Sequence, residues 1–512
     1  MKGDFSRISF DATKHFSRVL QQQGRVTLDA DPNEEAAILL HYMRTLARDL
    51  IGPFAGPVDN LGFGLTLDDT NANDLRLKIG AGRYYVDGIL VESEREYDYA
   101  DQPDYTSGPD DGLLKRLKAA SGEDFWVYLD VWERHITSLE DDSIREPALD
   151  GPDTCTRTKV VWQVRAVARN VLLDTLTTRR DEIVSRLEDA ELDDDERAML
   201  EARRDRLDQD ITRLTKTDTE PGNDCAAPLE VLVGVSDAQM TARLDPGQQI
   251  KDPCTVSPDS RYRGAENQLY RVEVHQGSES ADGPTFKWSR ENGSVAARWL
   301  GTEGNDLLVV NGREFTPGAW VELTDDSNDW MGRPGTLIKL VKVDGDRLTV
   351  DPTASIAFTE SLRHPKVRRW DQTERDDTTL RLGAVPLIEA TAVAPNWLTL
   401  EDGIQVQFAA GGTYRSGDYW LIPARVATGT IIWPSITTAN GDLEWQPQAP
   451  AGIEHHYAPL GFVGVIDDDL VVTSCVCEID TINSCGARRN RIGGIELAPV
   501  PRNRRARRKP NP

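Results

Sequence analysis

The chain has 512 residues, with 59 Lys and Arg against 85 Asp and Glu and a net charge of −26. Such a length exceeds one hydrophobic core and implies several domains. The acidity excludes nucleic acid as a general partner, because phosphate would be repelled over most of the surface. No apolar run approaches the roughly 20 residues that a membrane helix needs, so a soluble chain without membrane insertion is expected.

Residues 1–55 come first. Asp4, Arg7, Asp11, Lys14, His15 and Arg18 interrupt every apolar run, so no secretory signal is expected and the protein reads as cytoplasmic at synthesis. Asp11 is placed to cap a short helix carrying Phe16, Val19 and Leu20, with Gly24 ending it. Asp31 is placed to cap a longer helix, with Pro32 at its first position and Glu34 completing a capping box. Leu39, Met43, Leu46 and Leu50 share one face of that helix and are expected to be buried; Gly52 and Pro53 stop it. Two such helices can hardly cover their apolar stripes alone, so they either pack on the rest of the chain or dock on a partner.

Beyond residue 56 the period changes to two. Leu75, Leu77 and Ile79 share one strand face, and a hairpin turns at Asp87 and Gly88 between Tyr84, Val86 and Ile89, Val91. Residues 125–136 and 158–168 are long, aromatic and β-branched, as core strands of a sandwich or barrel are. Residues 169–216 are charged and nearly without Gly or Pro. Leu176, Ile183, Leu187 and Ala190, then Leu200, Leu207, Ile211 and Leu214, recur at helical spacing around Asp193–Asp195, which predicts an antiparallel helical hairpin inserted in a β domain. It either packs on its own sheet or contacts another subunit.

The second half reads as β. Strands are predicted at 229–235, 267–275, 284–290, 306–310, 319–325, 398–409, 418–426 and 458–466, with a hairpin turning at Asp344 and Gly345. Frequent short strands imply sandwiches or barrels rather than a wound α/β sheet.

The sequence lacks a P-loop, a dinucleotide fingerprint, a G-x-S-x-G elbow and H-E-x-x-H, so no catalytic residue, metal or cofactor is expected. His455 and His456 are adjacent and would point to opposite faces of a strand. Asp325, Asp326, Asn328 and Asp329 resemble a calcium loop, but Trp330 and a late Gly332 argue for an ordinary polar loop. Trp288, Trp320, Trp330, Trp370 and Trp420 either fill sandwich cores or stack on sugars. Cys155, Cys225 and Cys254 are isolated, whereas Cys475, Cys477 and Cys485 cluster; buried or idle thiols, a disulfide and a partial metal site are the options. The end of the chain is cationic, with Arg502, Arg504, Arg505, Arg507, Arg508 and Lys509, and is either a solvated tail or a strap on an acidic surface.

KHFSRVLQQQGRVTLDADPNE, with Lys14, His15, Val19, Gln22, Gly24, Arg25, Leu28, Asp29, Asp31, Asn33 and Glu34, resembles the front end of an uncharacterised bacterial family encoded beside baseplate genes of contractile, phage-tail-like injection systems. RGAENQLYRVEVH, TFKWSRENGSV, KVRRWDQ and YRSGDYWLIPAR resemble later signatures of that family, and KIGAGRYYVDGILVE resembles small β modules of tail fibre and baseplate proteins. Pro32 departs from the family's aromatic residue.

The resemblance implies a structural component of a contractile injection particle, baseplate-associated or fibre-like, present as a homo-oligomer among baseplate, sheath or fibre subunits. It supplies no catalytic residues. Phe16, Val19, Leu20, Gln22, Arg25, Asp29, Asp31 and Glu34 are the candidate docking residues. The rivals are a carbohydrate-binding or carbohydrate-active receptor protein using the later β domains, and a cargo effector. The expected architecture is mainly β, multi-domain, with an N-terminal helical segment and an inserted helical hairpin. Its divisions are a docking segment (1–55), a β domain (56–168), the hairpin (169–218), one or more β-rich domains (219–470) and a Cys-containing segment with basic tail (471–512).

Overall fold

The computed structural model describes residues 1–68, 76–106, 124–149, 153–188, 194–215, 238–246, 261–354, 356–375, 378–391, 394–438, 443–466 and 469–480. Leu75, the strand expected at 229–235, Ala190, Asp193 of the expected hairpin turn, Cys225, Cys254, Cys485 and the basic tail lie outside them, whereas Asp194 and Asp195 of that turn are already helical. The protein is mainly β, with an N-terminal helix α1 (Ala30–Ile51) and a helical hairpin of α2 (Arg169–Leu187) and α3 (Asp194–Thr215).

Three sheets build the first unit. Phe54–Pro57, Gly82–Val86 and Ile89–Ser93 form one with Glu478–Ile479; Leu65–Asp68, Arg76–Ile79 and Tyr97–Asp98 form a second. In the third, Phe125–Ile136 pairs along its whole length with Arg157–Ala168, and on its other side with His455–Ile466. Their inward faces meet around Leu77, Ile79, Tyr84, Val86, Val91, Leu129, Trp162 and Leu460, as the alternation predicted. The predicted hairpin turns at Asp87 and Gly88, both at positive φ (48° and 81°), which suits a right-twisted two-residue turn. The 219–470 stretch thus also contributes to this first unit, since residues 455–466 complete the sheet begun at residue 125.

The second unit packs the five-stranded sheet containing Gln268–Gln276, Thr285–Ser289 and Tyr419–Arg425 against a three-stranded sheet of Leu398–Thr399, Ile404–Phe408 and Met240–Leu244. The third is a closed six-stranded barrel in the order Ala296–Glu303, Asp306–Val309, Arg347–Val350, Thr336–Asp344, Trp320–Thr324, Lys366–Trp370. Its predicted hairpin pairs Asp344 with Arg347, so the turn is Gly345–Asp346, one residue later than read, with Gly345 supplying the positive φ of 61° at the first position.

The helical hairpin stands on the outer face of the Phe125–Ile136 sheet. Leu172, Leu176, Ile183, Leu200, Leu207 and Leu214 pack together and onto Trp126, Tyr128, Val167 and Phe462. Packing on its own sheet is therefore one of its roles.

The front end departs most from expectation. The side chain of Asp11 does cap, accepting from Thr13 N at 2.9 Å, but the helix is one 3-10 turn, Ala12–Lys14, ended by His15 in the left-handed region (φ 56°). Phe16, Val19 and Leu20 lie beyond it in irregular chain, and Gly24 (φ 71°) serves a turn rather than a helix end. Helix α1 begins two residues before the predicted start. Asp31 and Glu34 are not its caps because their carboxylates are engaged elsewhere: Asp31 accepts from Leu28 N at 3.1 Å and Glu34 from Ser9 Oγ at 2.5 Å. The Asp29 carboxylate turns back to Ser6 N at 2.8 Å.

Candidate functional site

Two features stand out once the fold is assembled, the outer face of α1 and a charged junction among the three β units. The stripe of Leu39, Met43, Leu46 and Leu50 was expected inside. It faces outward instead, with exposures of 56, 67, 60 and 76%, beside exposed Leu40 and Tyr42. The inner face is narrow: Ile38 is 1% exposed and Ala30 is buried, and the half-buried remainder mixes Ala37, Ala47 and Ile51 with Asp31, Glu34 and Arg44. Arg44 makes paired contacts with Glu133 at 2.9 and 2.8 Å, Arg48 meets Asp87 at 3.4 Å, and Phe10 lies against His41 with ring centroids 5.7 Å apart. The helix is thus held by ion pairs and one anchor, and its apolar side is left over.

Among the predicted docking residues, Phe16, Leu20, Gln22, Arg25 and Asp29 are exposed, and Val19, Asp31 and Glu34 half-buried. Val26 and Leu28 extend the exposed apolar set. Asp29, Asp31 and Glu34 are turned toward their own chain, as described above, so they shape the segment rather than project from it.

Residues 1–10 are not an appendage. Met1 donates its amine to Tyr419 Oη at 3.0 Å and its carbonyl accepts from Arg271 Nη1 at 3.1 Å. Lys2 pairs with Glu273 at 2.9 Å, and Asn292 Nδ2 donates to Gly3 O at 2.8 Å. They enter a layer built from strands with two buried faces. Gln268–Gln276 sends Tyr270, Val272 and Val274 into the sandwich core, and Arg271, Glu273 and His275 to the opposite side, where they are also buried. Lys287, Glu322, Lys366 and Arg368 occupy equivalent positions on their strands. The family-like blocks RGAENQLYRVEVH, TFKWSRENGSV, KVRRWDQ and YRSGDYWLIPAR supply most of this layer.

Within it, Glu273 accepts from Arg271 Nε at 2.6 Å and meets Lys287 at 3.3 Å. Lys287 reaches Glu322 at 2.5 Å, and the same carboxylate accepts from Trp370 Nε1 at 2.8 Å and Gly335 N at 2.9 Å. Alongside, Arg134 bonds Asp326 at 2.5 Å and Asp329 at 2.9 Å, while Lys366 bonds Glu140 at 2.6 Å and Asp329 at 3.2 Å. The supposed calcium loop is therefore a short helix, α4 (Asp326–Met331), capped by Asp325 and spent on ion pairs. Among the described residues no group of three or more His, Cys, Asp or Glu could hold a metal.

Burial alone would raise these carboxyls, but the surrounding cations prevail. Lys2, Arg271 and Lys287 hold Glu273 well below the usual range; Lys287 and Lys2 hold Glu322 at about 2, and Lys366 holds Glu140 at about 2. His135 and His275 are pushed down to about 4, first by burial and then by neighbouring positive charge. Ionised carboxylates tied to cations are not poised near neutrality for proton transfer. They are suited to fixing the three units against one another.

His455 and His456 do face apart, reaching Asp130 at 2.7 Å and Asp87 at 3.0 Å. Trp288, Trp330, Trp370 and Trp420 are buried, and Trp320 is half-buried. Cys475 is buried and disulfide-bonded, whereas Cys155 and Cys477 are free thiols.

The sequence pattern of a family of unknown function, DUF6519, matches residues 1–509. The chain belongs to this family. The comparison with curated proteins finds no match. A solved structure described as "Crystal structure of TssK" aligns with 80% of this DUF6519 chain and 99% of its own at 8% identity, with a TM-score of 0.14, too low to carry an argument.

No helix among the described residues is long and apolar enough to cross a membrane. The charged junction is hidden at the level of sequence because alternating apolar and charged residues look like half-exposed strands. The signal available was that the family-like blocks carry charges of both signs at the same alternate positions.

Proposed function

We propose that this protein is a non-enzymatic assembly component of a contractile, phage-tail-like particle, attached to a neighbouring subunit through its front end. The observation that carries the docking reading is the outward stripe of Leu39, Met43, Leu46 and Leu50. Its spacing of four, three and four residues is that of a two-helix seam, so the partner surface is best supplied by an apolar helix. A monomer gains nothing from exposing four large side chains in one line. The particle itself is proposed from the resemblance of the quoted blocks to baseplate-linked proteins. Baseplate, sheath and fibre subunits, and several symmetric copies of this chain, are the proposed surroundings. The five-part division of the chain is retained as a proposal, with residues 1–10 and 455–466 assigned to the body they help build.

The experiment is the pair Met43→Glu and Leu46→Glu, followed by sedimentation of particles from cells making the variant chain. Both side chains are exposed, so the melting temperature of the isolated protein should stay within about 0.5 kcal/mol equivalent of wild type. Loss from the particle fraction with unchanged folding is the expected result. Retention at wild-type stoichiometry would remove this face as the anchor. Deleting residues 1–50 is a poor substitute, because it also takes Lys2 from Glu273.

A further inference from the structure

A cavity of about 570 Å³ lies where the three β units and α2 meet, within the size range of small-molecule sites. Ten Lys and Arg side chains line it against eight carboxylates, a positive excess inside a chain whose net charge is −26. Five of these cations, Lys2, Arg134, Arg271, Lys287 and Lys366, belong to the ion pairs described above, and Arg165 pairs with Asp130 at 3.4 Å. Arg179, from α2, and Arg333, just after α4, do not: neither guanidinium has a hydrogen-bond or carboxylate partner among the described residues. Arg179 is half-buried and Arg333 exposed, so both guanidinium groups are open to the solvent-filled cavity. Two unpaired guanidinium groups lining one cavity with a positive excess point to an anionic occupant. The lining also includes His455 and Tyr457, whose rings are parallel to within 9° and both half-exposed.

We propose that this cavity binds a small polyanion, whose phosphoryl or carboxylate oxygens accept from Arg179 and Arg333. Guanidinium groups suit such oxygens because their N–H groups match the oxyanion in pairs. A lysine-rich wall alone would attract charge without that fit. The site is independent of the docking reading, since α1 does not line the cavity.

The test is calorimetric titration of the full chain with sodium pyrophosphate and, separately, sodium citrate, each against sodium chloride at matched ionic strength. Saturable one-to-one binding of pyrophosphate alone assigns a phosphoryl ligand, of citrate alone a carboxylate ligand, and of both the shared oxyanion chemistry. Arg179→Gln with Arg333→Gln should weaken that binding at least tenfold and leave the melting temperature of the unliganded protein unchanged, because neither side chain supports the fold. Absence of saturable binding by either salt, or binding unaltered in the double variant, would overturn the proposal.

Discussion

Gly88 and Arg44 meet backbone to backbone: a Cβ on Gly88 would stand 2.1 Å from the Arg44 carbonyl oxygen. The hairpin turn is therefore the seat of α1, and the glycine is required twice, for its φ of 81° and for the closeness of the helix. Gly88→Ala should lift α1 and cost about 2 kcal/mol or more. Gly24→Ala, at a similar φ but with nothing within 4 Å, should cost only about 1 kcal/mol. Thermal denaturation with limited proteolysis of residues 30–51 compares them; equal losses and equal cleavage would mean that the helix does not rest on the turn.

The Lys287–Glu322 pair lies inside the junction with both side chains almost wholly buried. Removing one partner leaves a buried charge, and Lys287→Met should cost about 3–5 kcal/mol. Glu322→Gln in that background restores neutrality. The double variant should therefore be less damaged than the two single losses added together, by about 1–3 kcal/mol in a double-mutant cycle. Additive losses in chemical denaturation would show that the two charges act separately.

Acid should weaken the fold in two stages. His135 and His275 bind a proton near pH 4 in the fold against 6.5 ordinarily. The unfolded chain therefore takes up protons first, and stability complete above pH 6.5 declines as pH falls toward 4, by at most about 3 kcal/mol per histidine. Glu140 and Glu322, at about 2 in the fold against 4.5 ordinarily, add a second decline below pH 4.5. Melting temperatures measured from pH 7 to 3 should fall through both windows, and His275→Gln should flatten the first. A flat profile between pH 7 and 5 would contradict the buried-histidine account.

Much of the fold could be read from local pattern, because alternation in residues 82–93 and 125–168 reports a buried face directly. The helical hairpin was legible for the same reason at period 3.6. What pattern cannot supply is which way a face points once several bodies compete for it. The Leu39–Leu50 stripe was identified correctly as one face, but Ile38 and two arginine ion pairs, not the leucines, hold the helix down. The junction shows the converse: Arg271, Glu273 and Lys287 read as solvent-facing until a barrel and a second sheet close over them. The candidate site was legible as an apolar segment and invisible as a charged layer.

The pairing of His455–Ile466 with Phe125–Ile136 also sets the order in which the molecule can be made. Until residue 466 has been synthesised, the long Phe125–Ile136 strand has Arg157–Ala168 on one side and an open edge on the other. At about 5–20 residues per second, the interval between the two segments lasts tens of seconds. During that time the growing chain carries an unprotected twelve-residue template for strand addition. Early termination anywhere in the barrel or second sandwich leaves that template permanently open to strand addition.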